Sequence, residues 1–165
     1  MELAVQHYRE EHTHPANRAL HVLGMPFILL SIVMVLRAVQ IASYLTASDF
    51  VSLLFIRNYY EYDASTLIPM GSLFLALNYI AEQYETHPFF ILYCILFQCF
   101  GWSLQLIGHS QFEKNKPVFL NNAVVSFTVA PLLLYYETKE LLTTICGCCL
   151  LNKDTQKSKL ADGRL

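Results

Sequence analysis

Long apolar stretches bounded by charged residues run through most of this chain. A helix needs roughly 20 apolar residues to cross the hydrocarbon core of a bilayer, and four stretches come close to that length: 19–36, 64–81, 88–108 and 117–136. Two weaker stretches also occur: 38–56, which Asp49 interrupts, and 141–152, which is short enough to be re-entrant or interfacial. Because a backbone in lipid must satisfy its own hydrogen bonds, the pattern predicts an all-α, polytopic membrane helical bundle with four strong and two short or weak segments.

The number of crossings decides whether two candidate histidines lie on the same side of the membrane. With four crossings, His21 in the first segment and His109 directly after the third face opposite sides, whereas with six crossings both share the side of the amino terminus. Six crossings place nine of the 11 Lys and Arg residues on that side, and four crossings divide them seven to four. Since basic residues concentrate in cytoplasmic loops, six segments with both termini cytosolic are favoured.

The composition agrees with a membrane protein. The 165 residues are 55% hydrophobic and 15% charged, with a mean hydropathy of +0.38, which is too apolar for a soluble domain. A net charge of -2, without a basic stripe interleaved with aromatic residues, excludes a nucleic-acid partner on electrostatic grounds. Residues 1–18 lack the pattern of a cleaved signal peptide. We expect one membrane-embedded domain over 1–152 and a polar cytosolic tail over 153–165.

The cysteines and Asp49 each have two interpretations. The five cysteines lack the paired CxxC spacing of a zinc site. Because their number is odd, we do not expect a disulfide framework. Cys146, Cys148 and Cys149 lie beside an apolar end, where they are either apolar filler or candidates for S-acylation. Asp49 is a functional candidate if it lies within the membrane; alternatively, a short or tilted segment lets it reach water.

Three of the six histidines, His12, His21 and His109, lie in polar clusters at the ends of predicted membrane segments. His14 precedes Pro15, a combination that disfavours helix at His14 and favours Pro15 as the first helical residue. His12 therefore lies before the helix. We expect it to be able to fold back toward His21.

Polar side chains accompany these histidines at helical spacing. Asn17 lies one turn before His21, and Gln105, His109 and Glu113 recur every four residues. Three imidazoles, or imidazoles with a carboxylate, leave open positions on a divalent metal and suit non-haem Fe(II), and zinc is also possible. Asn17 and Gln105 are candidate acceptors of the ring protons that ligating histidines donate.

The same residues also have ordinary interpretations. Histidines at helix ends near the interface are often only solvated or hydrogen-bonded, and we expect no metal role for His7, His14 or His87. Glu113 is ambiguous, because a Glu-Lys-Asn-Lys run is also typical of a solvated loop. Spacing alone therefore leaves metal binding as one hypothesis among others.

Two separated strips of the sequence resemble the Mpo-type 2-hydroxy fatty acid dioxygenases, membrane proteins of the endoplasmic reticulum in the route of phytosphingosine degradation. The first strip matches at Tyr8, His12, Pro15, Asn17, His21, Gly24 and Pro26. The second matches at Gly101, Trp102, Gln105, Gly108, His109, Phe112, Glu113, Lys114 and Pro117. Its GHSQFEKNKP is close to the family's Gly-His-x-x-Phe-Glu-x-x-x-Pro signature, and the resemblance spans residues 5–140. Val118, Phe119 and His14 depart from the family pattern, but none of them is a candidate ligand.

The resemblance implies an Fe(II)-dependent enzyme that shortens a 2-hydroxy fatty acid by one carbon. One 2-hydroxy acid and one O2 give the shorter acid, CO2 and water without an external reductant, so neither 2-oxoglutarate nor NADPH is required. In this hypothesis His12, His21 and His109 hold the iron, which the substrate carboxylate and 2-hydroxyl chelate. The acyl chain lies between the membrane helices, and Glu113 is a fourth ligand or a proton acceptor.

Two other classes of function fit parts of the sequence. A non-catalytic lipid-binding or scaffold protein of the membrane would have interfacial histidines and no bound metal. A zinc-dependent lipid hydrolase would use the same histidines and carboxylate to activate water, and it would not require O2.

Overall fold

The structure is a computed structural model that describes residues 5–6, 9–10, 12–113 and 128–143. Helix α1 is Pro15–Arg37, and a hairpin of strands β1 (Gln40–Ala42) and β2 (Leu45–Thr46) leads into α2, Ala47–Tyr62. A short 3-10 turn, Ala64–Thr66, precedes α3, Leu67–Tyr84. Helix α4, Phe90–Gly108, continues into one π-helical turn, His109–Glu113, and residues 128–143 are helical. The expected all-α class is confirmed, with the small hairpin as its only strand pair in the described part of the chain.

Three stretches of the described residues are long and apolar enough to cross a membrane: Pro15–Arg37, Ala64–Tyr84 and Phe90–Glu113. They correspond to the first three segments that the hydrophobic pattern predicts. The fourth predicted segment, 117–136, and the last, 141–152, lie partly or mostly outside the described residues. Cys146, Cys148 and Cys149, the candidates for S-acylation, lie outside the described residues.

The weaker stretch 38–56 does not form one helix from its first residue. Its beginning forms the hairpin, and α2 starts only at Ala47. Thr46 and Asp49 form a capping box, in which each side chain bonds the backbone N–H of the other residue, and the Thr46 hydroxyl also donates to Asp49 at 2.6 Å. Such reciprocal bonds satisfy N–H groups that a helix start leaves unpaired. The expected boundary at residue 38 is therefore wrong, and Asp49 has a structural reason to be in this segment.

Helices α1 to α4 run alternately up and down. Ser48 near the start of α2 contacts Asn78 near the end of α3, and Phe55 stacks on Phe74 with 5.9 Å between the ring centroids, so α2 and α3 are antiparallel. Arg37 at the end of α1 pairs with Glu82 and Glu85 at the end of α3, at 3.3 Å in each case. Helix α2 therefore brings the chain back from the Arg37 end of the bundle, and α4 returns to the end where α1 began.

Two glycines allow α1 and α4 to approach with their backbones nearly in contact. A Cβ atom at Gly24 would lie 2.9 Å from the carbonyl oxygen of Gly101, and one at Gly101 would lie 2.8 Å from that of Gly24. Close approach through small residues is a common way for helices to associate in membranes, where no hydrophobic effect drives them together. The contact places the first turns of α1 beside the last turns of α4.

The helical residues 128–135 complete the core of the first compact unit, which ends at Tyr135. Leu132 and Leu133 are almost completely buried, and the hydroxyl of buried Tyr59 donates to the carbonyl of Thr128 at 2.7 Å. Residues 136–143, which belong to a second unit, are also helical.

Candidate metal centre

His12, His21 and His109 come together in one buried cluster. Their side chains are only 5%, 6% and 2% exposed. One ring nitrogen of each lies within 4.8 Å of those of the other two, and the ring centroids are 4.3 to 5.0 Å apart. Among the described residues this is the one group of three or more His, Cys, Asp or Glu side chains with such a spacing. His12 and His109 are nearly 100 positions apart in the sequence.

His12 reaches the cluster because the helix begins after it. Pro15 is the first residue of α1, as expected, and His14 caps the helix, its ring accepting from the amide of Ala16 at 3.1 Å. His12 is not helical, and its Nε2 lies 3.0 Å from Nε2 of His21. The expectation that His12 can fold back toward His21 is confirmed.

The ring of His21 has a defined proton position. Its Nδ1 lies 3.0 Å from the carbonyl oxygen of Asn17, one turn earlier in α1. A carbonyl only accepts hydrogen bonds, so Nδ1 carries the proton and donates it. The neutral ring then presents the lone pair of Nε2 toward Nε2 of His12, which lies 3.0 Å away. This is the arrangement that metal-binding histidines use, with one nitrogen held by an acceptor and the other directed at the ion.

His109 begins the π-helical turn at the end of α4. Its amide N–H donates to the carbonyls of both Gln105 and Leu106 in the last turn of α4. Single π-helical turns are rare and occur often at functional sites. Gly108, directly before His109, lies against the first turn of α1, where a Cβ atom would collide with the side-chain oxygen of Asn17.

Asn17 and Gln105 lie next to the cluster but differ in their contacts from simple acceptors of ring protons. Asn17 contacts His21 through its main-chain oxygen, and its side-chain nitrogen donates to Glu113 at 3.1 Å. Gln105 is 4% exposed, and its amide nitrogen has no hydrogen-bond acceptor among the described residues. That nitrogen lies against Gly24 on α1, within 3.3 Å of the point that a Cβ atom would occupy.

Glu113 reaches the segment before α1 rather than the group of three imidazoles. Its Oε2 accepts from the hydroxyl of Thr13 at 2.9 Å, and its Oε1 accepts from the amide of His14 at 2.7 Å and from Asn17. Thr13 is not among the candidate residues identified from the sequence. No local signal identifies it, because its partner is 100 positions away.

The remaining histidines differ from the cluster. His14 is exposed and stacks on Phe112 with a centroid distance of 4.9 Å, and the ring of His87 accepts from the amide of Phe89 at 3.2 Å. His7 lies outside the described residues.

The donor set of the cluster fits a divalent transition metal. Zinc–imidazole bonds are about 2.0–2.1 Å long, so two nitrogens on one such ion lie about 3–4 Å apart. His12 and His21 already have that separation, at 3.0 Å. Imidazole nitrogen is a ligand for iron, copper and zinc alike, and three such ligands leave positions open for other molecules.

Comparisons with known proteins identify the family of this chain. A family model described as "2-hydroxy-palmitic acid dioxygenase Mpo1-like" matches residues 1–142. The chain is 31% identical over 130 residues to the 2-hydroxy-palmitic acid dioxygenase MPO1 of Saccharomyces cerevisiae, an alignment that covers 79% of this chain and 74% of that protein. No solved structure matches the chain. The expected family is therefore confirmed: this chain belongs to the Mpo1-like family.

Proposed function

We propose that this protein is an Fe(II)-dependent dioxygenase that converts a 2-hydroxy fatty acid and O2 into the fatty acid one carbon shorter, CO2 and water. The observation that carries the proposal is the buried convergence of His12, His21 and His109, which we propose as the metal ligands. The similarity to a 2-hydroxy-palmitic acid dioxygenase supports the substrate class.

The stoichiometry of this reaction closes without another reductant. All five oxygen atoms of the hydroxy acid and O2 appear in the shorter acid, CO2 and water, and the C1–C2 bond is the carbon–carbon bond that breaks. Bound Fe(II) supplies the one-electron chemistry with O2 that amino-acid side chains lack. The three imidazoles suit this ion because they leave positions for both substrate and oxygen.

The protein itself contributes orientation and the exclusion of water. The carbonyl of Asn17 holds His21 in one tautomer, so the ring does not need to reorganise when it binds an ion. The three rings are almost completely buried, and a site without bulk water strengthens electrostatic interactions with an anionic head group.

The acyl chain of the substrate has an apolar path from this end of the bundle. Helix α4 carries His109 at its far end, and exposes large apolar side chains along most of its length: Ile91, Leu92, Ile95, Leu96 and Phe100. Exposed apolar side chains of this kind can pack against the acyl chain of a lipid. We propose that the head group of the substrate enters at the membrane boundary while its acyl chain remains among the membrane helices.

The proposed topology has six crossings, both termini in the cytosol and the site at the cytosolic boundary of the endoplasmic reticulum membrane. The antiparallel course of α2 supports it, because this helix returns the chain from the Arg37 end to the end where α3 begins. Residues 1–152 then form one catalytic domain, and 153–165 a polar cytosolic tail.

The test is turnover by purified protein in detergent or lipid nanodiscs, with 2-hydroxypalmitate, Fe(II) and O2. We expect pentadecanoic acid and CO2 in a 1:1 ratio, with one O2 consumed for each. His21→Ala and His109→Ala should lose stoichiometric iron and this product together. His87→Ala is the matched control, because His87 lies outside the cluster, and it should retain both.

Each alternative has a distinct result. Zinc-supported cleavage of a lipid ester that does not require O2, with no pentadecanoic acid formed from 2-hydroxypalmitate, would indicate a hydrolase. Wild-type protein that binds no metal would indicate a lipid-binding or scaffold role. Retained turnover in His21→Ala or His109→Ala would contradict the assignment of the ligands.

A further inference from the structure

The carboxylate of Glu113 connects two parts of the chain that carry different histidines. It accepts three hydrogen bonds from the segment that follows His12: from the hydroxyl of Thr13 at 2.9 Å, the amide of His14 at 2.7 Å and the side chain of Asn17 at 3.1 Å. Both carboxylate oxygens are used. Glu113 itself ends the π-helical turn that begins at His109.

His12 is not itself part of a helix or strand, so its position depends on contacts made by its neighbours in sequence. His21 lies within α1, and His109 continues directly from α4, so the glycine contact between those helices determines their separation. His12 precedes α1 and is non-helical. On one side its amide donates to the carbonyl of Arg9 at 3.3 Å, and on the other side the residues directly after it bond Glu113, so the Glu113 carboxylate is one of the contacts that hold this segment.

The charge of Glu113 suits the place where it binds. The amino-terminal end of a helix carries unpaired N–H groups and a partial positive charge, which an acidic side chain stabilises. Helix α1 has no acidic residue in its first turn. Glu113, at the end of the π-helical turn that follows α4, places a carboxylate at the amino-terminal end of α1. Hydrogen bonds to an ionised acceptor are about twice as strong as neutral ones.

We propose that Glu113 is a positioning residue: its carboxylate clamps Thr13, His14 and Asn17, and thereby determines where His12 lies relative to His21 and His109. This role differs from that of a fourth metal ligand or a proton acceptor, because it acts through hydrogen bonds that already occupy both oxygens. The part of the inference that concerns metal binding rests on the proposed function; the clamp itself does not.

The first measurement needs no metal. Amide hydrogen exchange of the metal-free, full-length protein reports the bond from the His14 amide to Glu113. In Glu113→Ala this amide should exchange about tenfold faster or more, because a hydrogen bond to a charged acceptor is lost. Glu61→Ala is the matched control, since Glu61 is an exposed carboxylate paired with Arg57 within α2, and it should exchange as wild type.

The second measurement is the affinity for Co(II), titrated by its visible absorption as a probe of the histidine site. Glu113→Ala should bind Co(II) about 10- to 100-fold more weakly, the usual cost of losing a group that orients a ligand. Thr13→Val removes one bond of the clamp and should weaken binding in the same direction but less, and Glu113→Gln should lie between wild type and Glu113→Ala. At saturating Co(II) the absorption spectra of the variants should match that of wild type.

Each other result overturns the inference in a recognisable way. A changed spectrum at saturating Co(II) with unchanged exchange of His14 would make Glu113 a ligand. Lost turnover with unchanged exchange and affinity would make it a proton acceptor. If Thr13→Val and Glu113→Ala both behave as wild type, there is no clamp. Wild-type protein that binds no Co(II) would contradict the proposed function instead, and hydrogen exchange would still decide whether Glu113 holds this segment.

Discussion

The side-chain oxygen of Asn17 lies so close to the Cα atom of Gly108 that any Cβ atom there would collide with it. Asn17 belongs to the first turn of α1, and Gly108 is the last residue of α4 before His109. Asn17 is completely buried, and its amide nitrogen donates to Glu113. The missing side chain at Gly108 therefore lets the start of α1 lie directly against the turn that carries both His109 and Glu113.

Gly108→Ala should lower both the stability and the metal affinity of the protein. The new methyl group must displace Asn17, at a cost of about 1–3 kcal/mol for overpacking, and the bond from Asn17 to Glu113 is strained with it. Thermal unfolding in detergent and Co(II) titration measure the two effects. Gly71→Ala is the matched control, because no atom lies within 4 Å of a Cβ atom at Gly71. That variant should be as stable as wild type or more stable by about 0.5–1 kcal/mol. Equal behaviour of the two alanine variants would contradict this prediction.

Gly101→Ala should destabilise the protein more than Gly108→Ala does. A methyl group at Gly101 would lie 2.8 Å from the main-chain oxygen of Gly24 and 2.5 Å from Cγ1 of Ile28. A backbone oxygen in a helix cannot rotate away as a side chain can, so α1 and α4 must separate. We expect a loss of about 3 kcal/mol, at the upper end of overpacking costs, with weaker Co(II) binding because His21 and His109 move apart. The reverse order of stability for the two variants would argue against a backbone contact.

Asn78→Ala should weaken the packing of α2 against α3. The side chain of Asn78 contacts the hydroxyl of Ser48 and donates to that of Ser52 at 3.0 Å, which are buried. A hydrogen bond within a protein contributes about 0.5–1.5 kcal/mol net to stability, so the loss of two should cost about 1–2 kcal/mol in unfolding experiments. Ser103→Ala is the control, since the Ser103 hydroxyl bonds only the carbonyl of Cys99 within α4 among the described residues. A Ser103 variant that loses as much stability would show that the interhelical contact is not the cause.

Metal binding should raise the thermal stability of the protein. An ion that binds only the folded state stabilises it by about 2.7 kcal/mol at a free concentration 100 times the dissociation constant. Added Co(II) or Fe(II) should therefore raise the unfolding temperature in a concentration-dependent way, and a chelator should reverse the change. His12→Ala should abolish most of the shift, whereas His87→Ala should retain it. An equal shift in both variants would indicate metal binding elsewhere.

Much of the candidate site follows from local signals in the sequence. The Pro15 break indicates that His12 lies outside α1, and helical spacing places Asn17 before His21; the structure has both features. The structure also places His21 and His109 together, as six crossings would require, while the number of crossings stays a prediction. The two local inferences hold because each depends only on neighbouring residues.

Other features depend on partners that are distant in sequence. Glu113 lies in a charged run of residues, so its role is ambiguous from the sequence. Only its bonds to Thr13 and His14 show where its carboxylate lies. In the 38–56 stretch, hydropathy predicts neither the hairpin nor the start of α2 at Ala47.

The sequence by itself determined three helices that are long and apolar enough to cross a membrane, the residue types available for a metal and the family. Hydropathy, spacing and motif are properties of short stretches of chain. Only the tertiary structure decided which groups meet: Gly24 with Gly101, Asn17 with Gly108, and Glu113 with the segment after His12. Such meetings depend on how closely two backbones can approach and on which hydrogen bonds survive without water, and both are properties of the packed helices together.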